Sequence, residues 1–185
     1  LDSLFMSQRL NDFFGAKSEY KVLFGSNRLR MPQAIMDRLN RPAHIVHLKE
    51  PATYEFIREI RKGALTAKDK LAVDRLFALI EDQQIFPFFE KIERTKRNLS
   101  DAETTAFVFD YPGIDIRSEF ARREFENWAA PVNEEIFTAM DNCLKQAGVS
   151  ESAVDLVCLT GGSAQVPLIR KELLRRFGED KLQTQ

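Results

Sequence analysis

Cysteine is scarce in this chain, with two residues in 185, Cys143 and Cys158, far apart and flanked by apolar neighbours. So thin a supply excludes a disulfide framework, and the pair is expected to be buried free thiols of a reducing cytosol. Histidine is equally rare. His44 and His47 stand three apart, but no cysteine or acidic partner is assigned to them, so no metal is expected. Neither sign of charge dominates: 27 basic residues face 28 acidic ones, for a net charge of -1. That balance gives no reason to expect nucleic acid. No apolar run approaches the ~18–20 residues that would cross a membrane, and no apolar leader opens the chain. A cytoplasmic location is the expectation. The phosphate-binding patterns G-x-x-x-x-G-K-[ST] and G-x-G-x-x-G are absent. No Ser-His-Asp set, C-x-x-C pair or carboxylate pair can be nominated, so no residue is assigned a catalytic role.

Apolar side chains are plentiful, at 44% of the chain against 30% charged, which fits one globular domain or two small ones. Fifteen phenylalanines against one tryptophan and three tyrosines predict a phenylalanine-rich core. The chain opens "LDSLF" without methionine, which suggests a segment of something longer or a processed product.

The pattern predicts an α/β chain, rich in helix before residue 100. Asp2 or Ser3 can cap a first helix whose apolar side is Leu4, Phe5, Met6, Leu10, Phe13 and Phe14, ending at Gly15. Residues 16–31 read as irregular chain. Pro32 opens a short helix to about Leu39, and "HIVHL" reads as a short strand. Further helices are expected over Thr53–Lys62, from a Thr66 cap through Ile80, and over Phe88–Leu99 with Pro87 in the first turn. After Ser100, "TTAFVFDYPGIDIR" predicts a hairpin turned by Pro112-Gly113 in a type II turn. Two helices, Ser118–Trp128 and Val132–Gln146, should follow. "VDLVCLT" reads as a strand buried on both faces, and Val166, Ile169, Leu173, Leu174 and Phe177 mark one face of a terminal helix.

Two stretches could carry chemistry. In "LTGGSAQVPLIRKELLRRF", Gly161, Gly162 and Ser163 join the strand to the terminal helix. Such a junction either makes an ordinary tight turn or presents backbone N–H groups and a positive helix end to a phosphate or sugar. In "FFEKIERTKRNLS", Glu93, Lys96, Arg97 and Ser100 stand at i, i+3, i+4 and i+7, on one helical face. They are either a solvated stripe with a Glu93–Arg97 surface pair or a reader of a ribose and a purine. In the second case the carboxylate and ammonium bind hydroxyls, and the flat guanidinium lies on the base.

Taken in order, these pieces resemble the ATPase domain of the Hsp70 family, within the actin and sugar-kinase superfamily. "LDSLFMSQRLNDFF" is similar to the segment after that family's Gly-Gly-x-Asp turn. "ERTKRNLS" resembles its adenosine helix, "TTAFVFDYPGIDI" the hairpin after it, and "RREFE" the start of the next helix. "VCLTGGSAQVPLIRKEL" matches its strand, Gly-Gly-Ser loop and helix. Residues 16–87 match poorly, and in this they resemble the short, atypical YegD-type branch. The resemblance implies a piece of lobe II of that domain. Residues 1–128 would be its outer subdomain, a lid carrying the divergent helical stretch 16–87. Residues 129–185 would be part of the actin-like, ribonuclease-H-like inner subdomain.

By the same resemblance Glu93, Lys96 and Ser100 would contact ribose and adenine, and Arg97 would stack on the base. Gly161, Gly162 and Ser163 would lie beside adenosine and the phosphates. Gln165 stands where the family usually has a second stacking arginine. The implied ligands are ATP or ADP, with Mg²⁺ in the full-length parent. The implied partners are a client protein, a co-chaperone or a nucleotide-exchange factor of an ATP-dependent chaperone, with no membrane and no nucleic acid. No phosphate loop or metal-positioning acid is found, so the parent is expected to be an ATPase and this chain alone inactive. The alternatives are a non-hydrolysing interaction module that uses residues 16–87, and part of a related sugar-kinase-type ATPase.

Overall fold

The computed structural model describes residues 1–22, 25–161 and 166–184. Its helices are α1 (Asp2–Gln8), α2 (Gln33–Leu39), α3 (Pro51–Gly63), α4 (Ala67–Glu81), α5 (Ile85–Asp101), α6 (Arg122–Ala147) and α7 (Pro167–Phe177). Among the described residues the strands form three separate pairs. β1 (Glu19–Tyr20) and β2 (Leu29–Arg30) pair antiparallel, as do β3 (Thr104–Tyr111) and β4 (Ile114–Ala121). β5 (Val157–Leu159) and β6 (Leu182–Thr184) pair parallel. The architecture is the mixed α/β one expected.

Phenylalanine builds the centre. Phe88 of α5 packs edge-on against Phe14, Phe107 and Phe109, with ring centroids 5.2, 5.3 and 4.9 Å away. Phe5 of α1 meets Phe120, Phe125 and Trp128 at 5.1, 5.1 and 6.1 Å. A Phe107–Phe120 contact at 6.1 Å joins the two groups. The hairpin supplies these rings because alternate residues face one side of a strand, so Phe107, Phe109, Ile114, Ile116 and Phe120 all turn inward. Gly113 has φ +82°, the value that a type II turn demands after Pro112. On α5 the inward face is Ile85, Phe88, Phe89, Ile92, Thr95 and Leu99, and Lys96 is buried at the edge between that face and the next. The helix thereby lies across the hairpin with its next stripe outward.

Several local expectations give way to tertiary packing. The first helix stops at Gln8, and a 3₁₀ turn over Leu10–Phe14 brings Leu10, Asn11 and Phe14 into the core. Residues 16–31 hold the short β1–β2 pair. "HIVHL" is not a strand but part of a 3₁₀ helix over Pro42–Leu48. At three residues per turn Ile45 and Leu48 share a face, and both are buried, which outweighs the β-branched propensity. Residues 118–121 extend β4 instead of opening a helix, and the two helices expected after them are one, α6. Pro131 sits inside α6 without ending it, because Phe125, Ala129 and Asn133, four apart, anchor one face on the body. In β5 only Leu159 is buried. Cys158 is exposed and Leu156 is 52% exposed, so this strand is not covered on both faces. Both cysteines are exposed, against the expectation of buried thiols.

Candidate functional site

The outward stripe of α5 faces α7 and β6 across a cleft of about 500 Å³. Glu93, Lys96, Arg97, Ser100 and Asp101 form one wall. Val166, Arg170 and Thr184 form the other. The helical spacing read from the sequence therefore does bring all four α5 candidates to one hollow.

Lys96 is the most constrained of them, with only 8% of its surface exposed. Its ammonium donates to Asp2 Oδ1 at 2.7 Å and also to Glu93 Oε2. Burial works against its charge, but the hydrogen bonds from Lys96 to Asp2 and Glu93 prevail and hold its pKa above the ordinary lysine value. It is a fixed cation at the bottom of the wall. Arg97 is exposed and has no ion pair among the described residues, so its guanidinium is available to a flat or anionic group. Ser100 sits in the last turn, where α5 ends in carbonyls without helical donors. Arg122 supplies the missing donors: its Nε reaches Leu99 O at 2.7 Å and its Nη2 reaches Ser100 O at 3.2 Å. The backbone under Ser100 is thus tied to the start of α6.

The opposite wall follows from the start of α7. Val166 is its N-cap and Pro167 its first residue, where a missing N–H costs nothing. Val166 and Arg170, four apart, lie on one face, and the Arg170 amide donates to Val166 O at 3.0 Å. Val166 is a buried apolar floor, and Arg170 is exposed beside it. Ile169, Leu173 and Phe177 face the core.

Gly161 has φ +78°, which favours glycine, and no atom of the other described residues lies within 4 Å of where a Cβ would stand. It is not among the cleft's lining residues. Gly162, Ser163 and Gln165 lie outside the described residues. Sequence reasoning missed Asp2, Asp101, Arg122, Arg170 and Thr184. Asp2 was expected only as a helix cap, but Leu1 takes that place without a side-chain capping bond, and the Asp2 carboxylate goes to a lysine 94 residues away. Thr184 carries no local signal, and only the β5–β6 pairing brings it to the cleft.

The remaining candidates are engaged elsewhere. His47 Nδ1 lies 2.7 Å from Glu50 Oε1, an acidic neighbour that the sequence reading overlooked. Among the described residues no group of three metal-ligating side chains occurs. A second hollow of about 380 Å³ is edged by Ser3, Ser7, Asp37, Arg38, Asn40, Arg41 and His44. Its Arg38 is spent on Thr53 Oγ1 at 2.9 Å and His47 O at 3.2 Å, which leaves it a weaker claim than the α5 cleft. No described helix is long and apolar enough to cross a membrane.

Comparison with known proteins locates the similarity. The family described as Hsp70 protein matches residues 73–185, which include α5, the hairpin, α6 and α7. A heat shock protein of Pyricularia oryzae is 36% identical over 93 residues, 49% of this chain and 15% of that protein. A ribosome-associated molecular chaperone of Saccharomyces cerevisiae is 35% identical over 91 residues, 48% of this chain and 15% of its own length. Heat shock 70-related protein 5 of Dictyostelium discoideum is 31% identical over 87 residues, 46% of this chain and 17% of its own. The matched stretch is thus a small part of each relative.

Proposed function

The chain belongs to the Hsp70 family, and on that premise we propose that the cleft between α5 and α7 is the adenosine half of an ATP site in an Hsp70-like, ATP-dependent chaperone. The observation that carries this reading is the convergence of Glu93, Lys96, Arg97 and Ser100 on one hollow with an apolar floor at Val166. Glu93 and Lys96 address the ribose hydroxyls as acceptor and donor. Arg97 lies on a purine face, Val166 packs against the base, and Ser100 binds its polar edge. In the same reading residues 1–128 are the outer subdomain of lobe II and 129–185 part of the inner one, with α6 continuous across the boundary. In this reading Gly161, Gly162 and Ser163 lie beside adenosine and the phosphates, and Gln165 takes the place of the arginine that would stack on the other face of the base. Mg²⁺, the γ-phosphate contacts and the protein partners (client, co-chaperone, exchange factor) belong to the longer parent, which works in the cytoplasm.

Affinity here is bounded by what the cleft offers. Hydrogen bonds to charged groups contribute ~1.5–3 kcal/mol each, and a guanidinium on a ring adds ~1–2 kcal/mol. Association costs several kcal/mol, which leaves about −4 kcal/mol, a Kd near the millimolar range. NMR shift titrations with adenosine, ADP and ATP are expected to move α5 and Val166 amides with similar Kd for all three. Arg97→Ala should weaken each several-fold. Pure chain should release no phosphate from ATP above background. A strong preference for ATP over adenosine, or Mg-dependent hydrolysis lost in Lys96→Ala, would overturn the reading.

A second reading, a protein-interaction module, draws on the exposed Val46 and Phe56 at 65% and 40%. Both lie in the stretch before residue 73, where the family match begins. Shifts confined to residues 16–87 in the same titrations would favour it.

A further inference from the structure

We propose that Asp2 is a positioning residue of this cleft: its carboxylate holds the buried ammonium of Lys96 and leaves Glu93 free to take a ligand's vicinal hydroxyls. The inference rests on the adenosine reading of the cleft and deepens it to the sugar.

The argument begins with a charge that cannot stand alone. Lys96 is 8% exposed, and a buried ammonium without a carboxylate partner is costly. It has two partners, Asp2 at 2.7 Å and Glu93. If Glu93 were the only one, its single negative charge would have to neutralise the buried ammonium through Oε2 while its other oxygen took a ligand hydroxyl. Asp2 removes the conflict. It comes from the first turn of α1, a separate element, and the Phe5 cluster in the same helix fixes its approach.

The donors and acceptors then count out to a diol. An ammonium has three N–H donors, of which Asp2 and Glu93 use two. Glu93 binds Lys96 through Oε2, and its Oε1 has no hydrogen-bond partner among the described residues. One N–H and one carboxylate oxygen remain side by side. A vicinal diol matches them, with one hydroxyl accepting from Lys96 and its neighbour donating to Glu93. A 2′-deoxyribose can satisfy only one of the two. Asp2 touches neither hydroxyl and acts through Lys96 alone.

The test uses the whole chain with adenosine and 2′-deoxyadenosine as probes, followed by NMR shift titration. Wild type is expected to bind adenosine about tenfold more tightly, the value of one hydrogen bond to a charged group. Asp2→Asn removes the charge at constant shape and should bring that ratio toward one, whereas Asp2→Glu should keep most of it. A purely structural Asp2 would change stability and leave the sugar preference intact, so an unchanged ratio in Asp2→Asn overturns the proposal. Should Asp2→Asn fail to fold, the wild-type Lys96 ¹³Cε titration decides. Its pKa is expected to stay above the ordinary lysine value with adenosine bound, and a fall on binding would mean that Glu93 was the essential partner. Absence of any α5 shift with either nucleoside would instead strike at the adenosine reading itself.

Discussion

The two walls of the cleft are built to different depths. α5 rests on the phenylalanine centre: Phe88 and Ile92 have no exposed surface, and Phe14, Phe107 and Phe120 around them have none either. α7 rests on a thinner layer. Its inward residues Ile169, Leu173 and Phe177 retain 4%, 7% and 8% exposure, and among the described residues β5 has a paired strand on only one edge. Much of its hold is ionic. Arg176 bonds to Glu172 at 2.7 Å, to Glu151 at 3.5 Å and to Asp141 of α6, and it lies 5.5 Å from the centre of the Phe137 ring. The contrast teaches that one wall is positioned by close-packed rings and the other by a small apolar face with charged clasps. A ligand that bridges them would add most to the second.

The largest effect should come from the deep wall. Phe88→Ala removes a fully buried ring with three aromatic neighbours and should cost about 3–5 kcal/mol of global stability in denaturant unfolding. A cost under ~1 kcal/mol would break the comparison. Leu173→Ala should cost less, about 2 kcal/mol, the low end for such a truncation because the site is near the surface. Amide exchange should show the loss concentrated in residues 154–184, with α5 protection retained. Equal loss of protection in α5 would show that the walls are one cooperative unit.

The smallest effect is electrostatic. Hydrogen bonds from Arg175 and then Arg176 hold the Glu172 carboxyl down from 4.5 to about 2. A lowered folded pKa means stability that is present above the unfolded value and lost as pH falls through the folded one. The α7 clasp should therefore loosen between about pH 4.5 and 2, and Glu172→Gln should flatten that part of the acid-unfolding curve. An unchanged curve would remove Glu172 from the clasp.

Legibility in the sequence followed the range of the interactions. The helical stripe on α5 was readable because residues at i, i+3, i+4 and i+7 share a face whatever surrounds them. The Pro112-Gly113 turn was readable because proline fixes φ and glycine readily accepts the φ of +82° found at Gly113. The Thr66 cap is likewise local, with Asp69 N–H bonded to Thr66 Oγ1 at 3.0 Å. "HIVHL" misled because its β-branched residues carry a strand signal while Ile45 and Leu48 find their burial three residues apart. Pro131 misled because a proline signals a helix end, whereas the face of Phe125, Ala129 and Asn133 keeps α6 whole.

Composition, spacing and turn chemistry by themselves determined a phenylalanine-cored α/β protein with a charged stripe on one helix, and the order of its motifs pointed to the Hsp70 family. Those signals act within a few residues, where backbone geometry alone decides who shares a face. Only the tertiary structure decided what the stripe faces and what holds it. The Asp2–Lys96 bond spans 94 residues, the Arg122 clamp on α5 spans 22 and 23, and the Thr184 and Arg170 wall arrives from the C-terminal part of the chain. Each such contact depends on how whole elements pack, and packing energy is shared among many side chains that no short stretch contains.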